Sequence, residues 1–214
     1  MPISDVKCCD CMDYMKQFPD KYFDLAIVDP PYGIGITKSN RLAISRGMGG
    51  KTWDNNTPGP EYFEELKRVS KNRIIWGGNY FTEWPRKHFI VWDKQNDGRD
   101  FADCEIASSS IDSVARIFRM RPMNMDGGKI HPTQKPINLY LWLLENYAKP
   151  GDKILDTHMG SQSSRIAAWK MGFDYWGCEI DKEYFDQGCA RFEEGARQTS
   201  LFMQPEEPEQ EALL

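Results

Sequence analysis

Lys153-Ile154-Leu155-Asp156-Thr157-His158-Met159-Gly160-Ser161-Gln162-Ser163-Ser164 passes from an apolar strand pattern through a turn of small residues into a helical pattern. Tyr175-Trp176-Gly177-Cys178-Glu179 then forms a second strand pattern ending in an acid. Strand, small-residue turn, helix, strand and acid is the order of a nucleotide-binding βαβ unit. Gly160 and Glu179 are nineteen residues apart, close to the roughly 20 expected between such a turn and a carboxylate that takes ribose hydroxyls. The turn lacks GxGxxG, so a dinucleotide fits poorly. Ser163 and Ser164 suit a helix cap, and the first amides of the helix suit a carboxylate as well as a phosphate.

Working outward, strand patterns fall near residues 6–9, 24–28, 73–76, 88–92, 104–109, 114–118, 153–155 and 174–179. Helical patterns fall near 11–17, 60–70, 137–147, 163–171 and 182–193. This alternation predicts an α/β fold with a mostly parallel sheet and helices on both faces. In such sheets ligands sit beyond the carboxyl ends of strands at a switch point, where both Asp29 and Asp156 fall, so the two positions are expected to be neighbours. The spacing shows no internal repeat and no long linker.

Asp29-Pro30-Pro31-Tyr32 follows the apolar run Leu25-Ala26-Ile27-Val28. It places a carboxylate, a rigid turn and an aromatic ring at the end of a buried strand. A planar amino group needs these parts: its N–H bonds meet the Asp29 carboxylate and a proline carbonyl, while Tyr32 stacks on the ring that carries the nitrogen.

These two segments, with the intervening His131-Pro132-Thr133-Gln134-Lys135-Pro136, resemble the S-adenosylmethionine-dependent DNA amino-methyltransferases of the permuted type, in which the catalytic motif precedes the cofactor motif. The likeness spans roughly residues 5–36 and 129–193. It implies a Rossmann-like methyltransferase fold with a seven-stranded sheet containing one antiparallel strand, and S-adenosyl-L-methionine as cofactor. It also implies that Asp29, Pro30, Pro31 and Tyr32 hold the target amine. By the same likeness Asp156, Gly160 and Ser161 belong to the cofactor loop, with Ser163 at the helix start, and Glu179 is the ribose acid. Thr133, Lys135 and Pro136 lie at the methionine end, and Asp10 near the adenine, with Cys9 where the family has glycine. One departure is Gln162, where the family's loop has glycine. A left-handed backbone there costs glutamine about 1–2 kcal/mol, which predicts reduced cofactor affinity.

Composition is that of an ordinary globular domain: 214 residues, 40% hydrophobic, 28% charged and 13% aromatic, enough for one domain over residues 1–200. With no apolar run of membrane length and no signal-peptide pattern after Met1, the cytoplasm is the expected compartment and no membrane partner is expected. Cys8 and Cys11 form a CxxC without a second pair, so reduced core thiols are favoured over a zinc site and no metal is assigned.

The net charge of −5 conceals an uneven distribution. Glu206, Glu207, Glu209 and Glu211 place −4 of it in residues 201–214, a tail read as disordered. Residues 37–60 carry Lys38, Arg41, Arg46 and Lys51 against Asp54 alone, and residues 113–130 carry Arg116, Arg119, Arg121 and Lys129 against Asp126. Recognition insertions are therefore expected near 37–60 and 93–130, with Lys38, Arg41, Arg46, Lys51, Arg116, Arg119 and Arg121 meeting the phosphates of double-stranded DNA. Solvated loops are the plainer account of such cations; their place beside an amine-holding motif favours DNA.

Asn79, in Trp76-Gly77-Gly78-Asn79-Tyr80, is polar enough to touch a base, though a buried strand and ordinary turn explain it equally well. Trp92-Asp93-Lys94 lies at another strand end, where contact with the flipped base or its phosphate and an exposed ion pair are equally good readings. His131 is expected to orient the Lys135 segment and His158 to line the cofactor loop. The chain thus reads as a DNA methyltransferase, with adenine N6 preferred over cytosine N4 because aspartate opens the motif mostly in the family's adenine-modifying members. An RNA or protein-glutamine methyltransferase is the first rival, and motif order speaks against it. A nucleic-acid binder impaired through Gln162 is the second. A homodimer is allowed, and a partner nuclease is left open.

Overall fold

The computed structural model describes residues 1–36, 50–81, 87–96, 98, 102–122 and 129–202. Eight strands form one sheet: β1 (Ser4–Cys8), β2 (Phe23–Val28), β3 (Ser70–Trp76), β4 (Phe89–Asp93), β5 (Cys104–Ser109), β6 (Arg116–Arg119), β7 (Lys153–Asp156) and β8 (Asp174–Glu179). Their order is β1-β8-β7-β2-β3-β5-β4-β6. Only β5 runs against the rest, pairing antiparallel with β3 and β4. The resemblance implied seven strands; eight are present, as the strand patterns themselves number. The eighth is β6, which pairs parallel with β4 at the sheet edge, Ile90 opposite Arg116.

Among the described residues, five α-helices accompany the sheet: α1 (Cys11–Met15), α2 (Pro60–Val69), α3 (Ile137–Tyr147), α4 (Ser163–Lys170) and α5 (Lys182–Phe202). Strand residues alternate between two cores, as a pleated strand requires. Leu25, Ile27, Ile74, Trp76, Ile154 and Tyr175 pack with Leu139, Leu143 and Ala167 of α3 and α4. Ala26, Val28, Ile75, Leu155 and Trp176 pack with Tyr14, Tyr62, Phe63 and Leu66 of α1 and α2. Helices therefore cover both faces, and the Leu25–Val28 part of β2, buried on both, is the apolar run that a central parallel strand needs. Helix α2 starts at Pro60, whose fixed φ suits a first helical turn, and buries Tyr62, Phe63, Leu66 and Val69 on one stripe. None of the described helices is long and apolar enough to cross a membrane.

Chain order sets the site. From β2 the chain moves through α2 to β3 on one side, and from β7 through α4 to β8 on the other. Strands β2 and β7 are parallel neighbours, Leu25 opposite Ile154 and Ala26 opposite Leu155. The crevice beyond their carboxyl ends is the switch point at which ligands bind in this architecture.

Two boundaries differ from the sequence reading. Helix α5 continues to Phe202 rather than stopping near 193, with Arg197 and Glu193 paired one turn apart, so the first two residues of the expected tail are helical and the remainder lies outside the described residues. The cysteines are free but are not all core thiols: Cys8 and Cys104 are exposed, Cys9, Cys11 and Cys189 half-buried, and only Cys178 buried. Cys8 closes an edge strand whose last residues face solvent.

Candidate active site

Beyond the ends of β2, β7 and β8 lies a cavity of about 260 Å³, bounded among others by Asp10, Asp29, Pro31, Thr133, Lys135, Gly160, Ser161 and Glu179. Eight residues singled out from five separated stretches of sequence thus share one space, just below the roughly 300–1,000 Å³ usual for small-molecule sites.

At its β2 end, Asp29 Oδ1 accepts a hydrogen bond from the Tyr32 hydroxyl (2.6 Å). Asp29 Oδ2 accepts one from Lys135 Nζ, which also lies 3.3 Å from the Tyr32 oxygen. Lys135 is buried, and 3.0 Å away from it lies Glu105 Oε2 of β5. Burial raises the Asp29 carboxyl above its ordinary value, and the Lys135 ammonium pulls against that shift. Lys135 and Lys94 hold Glu105 down to about 2 even though its burial opposes this. Among these groups Glu105 is the one that no sequence pattern marked: it stands on an antiparallel strand inside an otherwise ordinary apolar pattern.

The Tyr32 ring is placed by its neighbours. It stacks on Tyr80 with ring centres 4.9 Å apart and planes 13° from parallel. Gly77 has φ +73°, and a Cβ there would lie 2.1 Å from the Tyr32 ring, so only glycine lets the ring lie against this turn. The backbone after the motif is held by Asp54, whose carboxylate accepts from the amides of Tyr32 (2.8 Å), Gly33 (3.0 Å) and Ile36 (2.8 Å). Asp54 was visible in the sequence only as the lone acid of a basic stretch; its buried amide-binding role depends on the fold. Asn79 lies beside Tyr80 in the same 3-10 turn, and Tyr80, not Asn79, makes the contact to the motif.

At the other end, Glu179 Oε2 accepts from the Gly160 amide (2.8 Å) and Oε1 from the Asp181 amide (2.9 Å). Each oxygen keeps a second lone pair toward the cavity. Asp10 caps α1 through the Met12 amide (2.8 Å) while lining the same space. Thr133 meets the His131 ring, Oγ1 to Nδ1 at 3.1 Å. The His131 ring lies against Gly160, Trp53 and Tyr184, and burial lowers it to about 3, so it is neutral. His158 lines the cavity, likewise lowered by burial, to about 4.

Two expected cofactor residues do not reach the cavity. Asp156 turns inward, accepting from Ser164 Oγ (2.6 Å) and the His158 amide (3.0 Å). Burial raises it to about 7. Ser163 meets Ser161 Oγ (3.1 Å) and Arg191 (3.0 Å) instead. Both residues brace the turn from behind, because a strand end and the first residue of a helix here point into the packed layer.

Gln162 adopts the left-handed conformation, φ 58° and ψ 27°, that its glycine counterpart would favour. Its side chain leaves the cavity: Nε2 donates to Phe185 O (3.1 Å), and Oε1 accepts from Arg165 (2.8 Å). Gly188 of α5 leaves room, since a Cβ there would stand 2.7 Å from Gln162. The side chain thus packs between α4 and α5, and Gln162 is not among the residues that line the cavity.

The expected DNA contacts divide. Lys38, Arg41 and Arg46 lie outside the described residues. Lys51 is drawn to the cavity rim, pairing with Asp181 (2.7 Å) and Glu183 (2.9 Å) over the Tyr184 ring; two carboxylates occupy the ammonium that was expected on a phosphate. Arg116, Arg119 and Arg121 are exposed on and beside β6, four strands from β2 and so roughly 19 Å away. Arg119 forms a surface pair with Asp93, a contact of little energetic weight. The sequence reading gave no site role to Cys11, Trp53, Ile180 or Tyr184, which also line the cavity, as does Cys9 beside Asp10. Most are apolar or aromatic residues whose pattern announced only a core.

The residues fit S-adenosylmethionine. The Glu179 carboxylate lines the cavity as an acceptor that ribose hydroxyls could meet. Trp53 Nε1 and Tyr184 OH are buried without a hydrogen-bond partner among the described residues, and both of these residues line the cavity, as donors for a polar ligand would.

Comparison with known proteins agrees with this geometry. The N6/N4 DNA methylase family matches residues 76–189, more than half of the chain. Type II methyltransferase M2.MboI of Moraxella bovis is 25% identical over 86% of this chain and 86% of its own length. Among solved structures, the M1.HpyAVI-SAM complex superposes with a TM-score of 0.62 at 19% identity, covering 87% of this chain and 98% of that one. PvuII DNA methyltransferase, described as cytosine-N4-specific, gives 0.60 at 11% identity, covering 92% and 93%. The protein belongs to the N6/N4 DNA methylase family of S-adenosylmethionine-dependent methyltransferases.

Proposed function

We propose that this protein transfers a methyl group to the N6 amino group of adenine, extruded from double-stranded DNA, in the cytoplasm. The observation that carries the proposal is the joining of Asp29, at an aromatic platform of Tyr32 and Tyr80, to the cavity bounded by Gly160 and Glu179. An amine held at Asp29 sits next to whatever the cavity holds. Glu179, Asp10, Gly160, Ser161 and Thr133 would hold S-adenosylmethionine, which supplies an electrophilic methyl carbon.

The exocyclic nitrogen of adenine is a poor nucleophile because its lone pair is delocalised into the ring. The Asp29 carboxylate and the Pro30 carbonyl, accepting its two N–H bonds, would turn that lone pair out of the ring plane and toward the methyl carbon. Positive charge would then develop on the nitrogen beside Asp29, whose carboxylate would stabilise it and accept the released proton. Extrusion costs a few kcal/mol and stacking on Tyr32 returns roughly 1–3. Phosphate contacts from Arg116, Arg119 and Arg121 are assigned the remainder.

Adenine is preferred over cytosine because aspartate opens the motif. Incubation with labelled S-adenosylmethionine and unmethylated mixed-sequence DNA, followed by digestion to nucleosides, tests this. N6-methyladenine is expected; N4-methylcytosine would keep the mechanism and change the target, and no label in DNA would overturn the proposal.

A further inference from the structure

We propose that the Lys135 ammonium occupies the target-amine position on Asp29 while no base is bound, and that Glu105 is the positioning residue onto which it withdraws when the amine arrives. This rests on the amine-pocket reading above. Lys135 Nζ makes one of the two contacts expected of an incoming amino group, donating to Asp29 Oδ2, and stands 3.3 Å from the Tyr32 hydroxyl. Such a cation must leave for an amine to take its place. It also cannot leave for solvent, because its side chain is 1% exposed, and an unpaired buried charge is costly.

Glu105 answers both demands. Its Oε1 is paired with Lys94, and its buried Oε2 is already ion-paired with Lys135 Nζ at 3.0 Å. The ammonium is therefore shared between Asp29 and Glu105, and Glu105 can keep it when Asp29 lets it go. Exchange of Lys135 from Asp29 to Glu105 keeps the ammonium paired and leaves Asp29 with the amine and the Tyr32 hydroxyl as donors, so the base displaces the ammonium without stranding it. It also takes a positive charge away from the place where the methyl donor's positive charge must approach.

Three forms of the full-length chain test this: wild type, Glu105→Gln and Glu105→Asp. For each, kcat of methyl transfer to mixed-sequence DNA is measured with the affinities for cofactor and DNA and the melting temperature. Glu105→Gln is expected to lower kcat at least tenfold, with both affinities within twofold and melting unchanged. Glu105→Asp, which keeps the charge one methylene back, should fall between. A Glu105→Gln kcat within twofold of wild type would overturn the proposal, as would parallel loss of kcat, cofactor affinity and melting temperature, the mark of a purely structural residue. Should Glu105→Gln not fold, ¹⁵N NMR of lysine-labelled wild type provides a second readout, with the Lys135 ammonium signal assigned by its loss in Lys135→Arg. It is expected to shift when DNA joins the protein bound to S-adenosylhomocysteine, and a signal unmoved by bound DNA overturns the exchange. Failure of wild type to methylate DNA would overturn the underlying reading instead, and this proposal with it.

Discussion

Asp29 and Asp156 stand just past and at the carboxyl ends of two adjacent parallel strands, β2 and β7, and burial raises both above the ordinary carboxylate value. Their partners differ. Asp29 faces a lysine ammonium and a phenol, whereas Asp156 faces a serine hydroxyl and a backbone amide. A cation compensates a buried negative charge; neutral dipoles do so only partly. Asp29 thus retains an ionised, exchangeable acceptor that opens onto the cavity, while Asp156 is a protein-facing brace that keeps its proton until about pH 7. Equivalent positions on neighbouring strands have become a chemical group and a structural one, and the neighbours, not the residue type, make the difference.

The largest effect that would sharpen this contrast is on chemistry. Asp29→Ala should lower methyl transfer to DNA about a thousandfold, on the scale of removing a preorganised transition-state partner, with cofactor affinity by calorimetry within threefold of wild type. Cofactor affinity lost along with activity would break the assignment. Asp29→Asn keeps an acceptor oxygen but no titrating proton. Since Asp29 must be ionised to accept, wild-type transfer should fall as pH drops through its raised value, and Asp29→Asn should lose that acid limb; a rate profile with the same limb in both proteins would place the titration elsewhere.

Glu179→Ala comes next, with an expected 10- to 100-fold weaker cofactor affinity, as suits loss of a charged acceptor, and little change in transfer rate at saturating cofactor. The reverse pattern between Asp29 and Glu179 would exchange their roles.

Asp156 should report in stability. Its folded form holds a proton between pH 3.8 and about 7 that the unfolded chain releases, so its contribution is full below about pH 4 and is lost as pH rises through 7. The difference is worth up to about 4 kcal/mol. Denaturation of wild type and Asp156→Asn at pH 5 and pH 8 should show the variant gaining on wild type at the higher pH; parallel pH profiles would show that Asp156 is ionised in the folded protein.

The smallest expected effect is at Gln162. Gln162→Gly would relieve about 1 kcal/mol of left-handed strain and lose the contacts to Phe185 and Arg165. Folding stability should change by about 1 kcal/mol or less and cofactor affinity by less than threefold. A tenfold tighter cofactor would show that the substitution acts on the cavity after all.

Much of this molecule was legible before the fold was known. The continuous apolar run of β2, the strand-turn-helix of 153–170 and the alternation of strands with helices reflect local backbone chemistry and the period of burial, which a linear chain displays directly. So does the placement of Asp29, Gly160 and Glu179 at strand ends and turns. What the tertiary structure alone decided was which way those side chains face and what they meet. Gln162 looked like damage to the cofactor site until α5 was seen to offer Phe185 and the space over Gly188, with Arg165 of α4 beside them. Lys51 looked like a phosphate contact until Asp181 and Glu183 closed on it. Lys135 and Glu105, thirty residues apart in the chain, form an ion pair beside Asp29 only because β5 runs antiparallel next to β3 while the 131–136 segment returns to β7. The physical reason is the same in each case: secondary structure follows from nearest neighbours along the chain, but the charge state and job of a buried polar group follow from its neighbours in space.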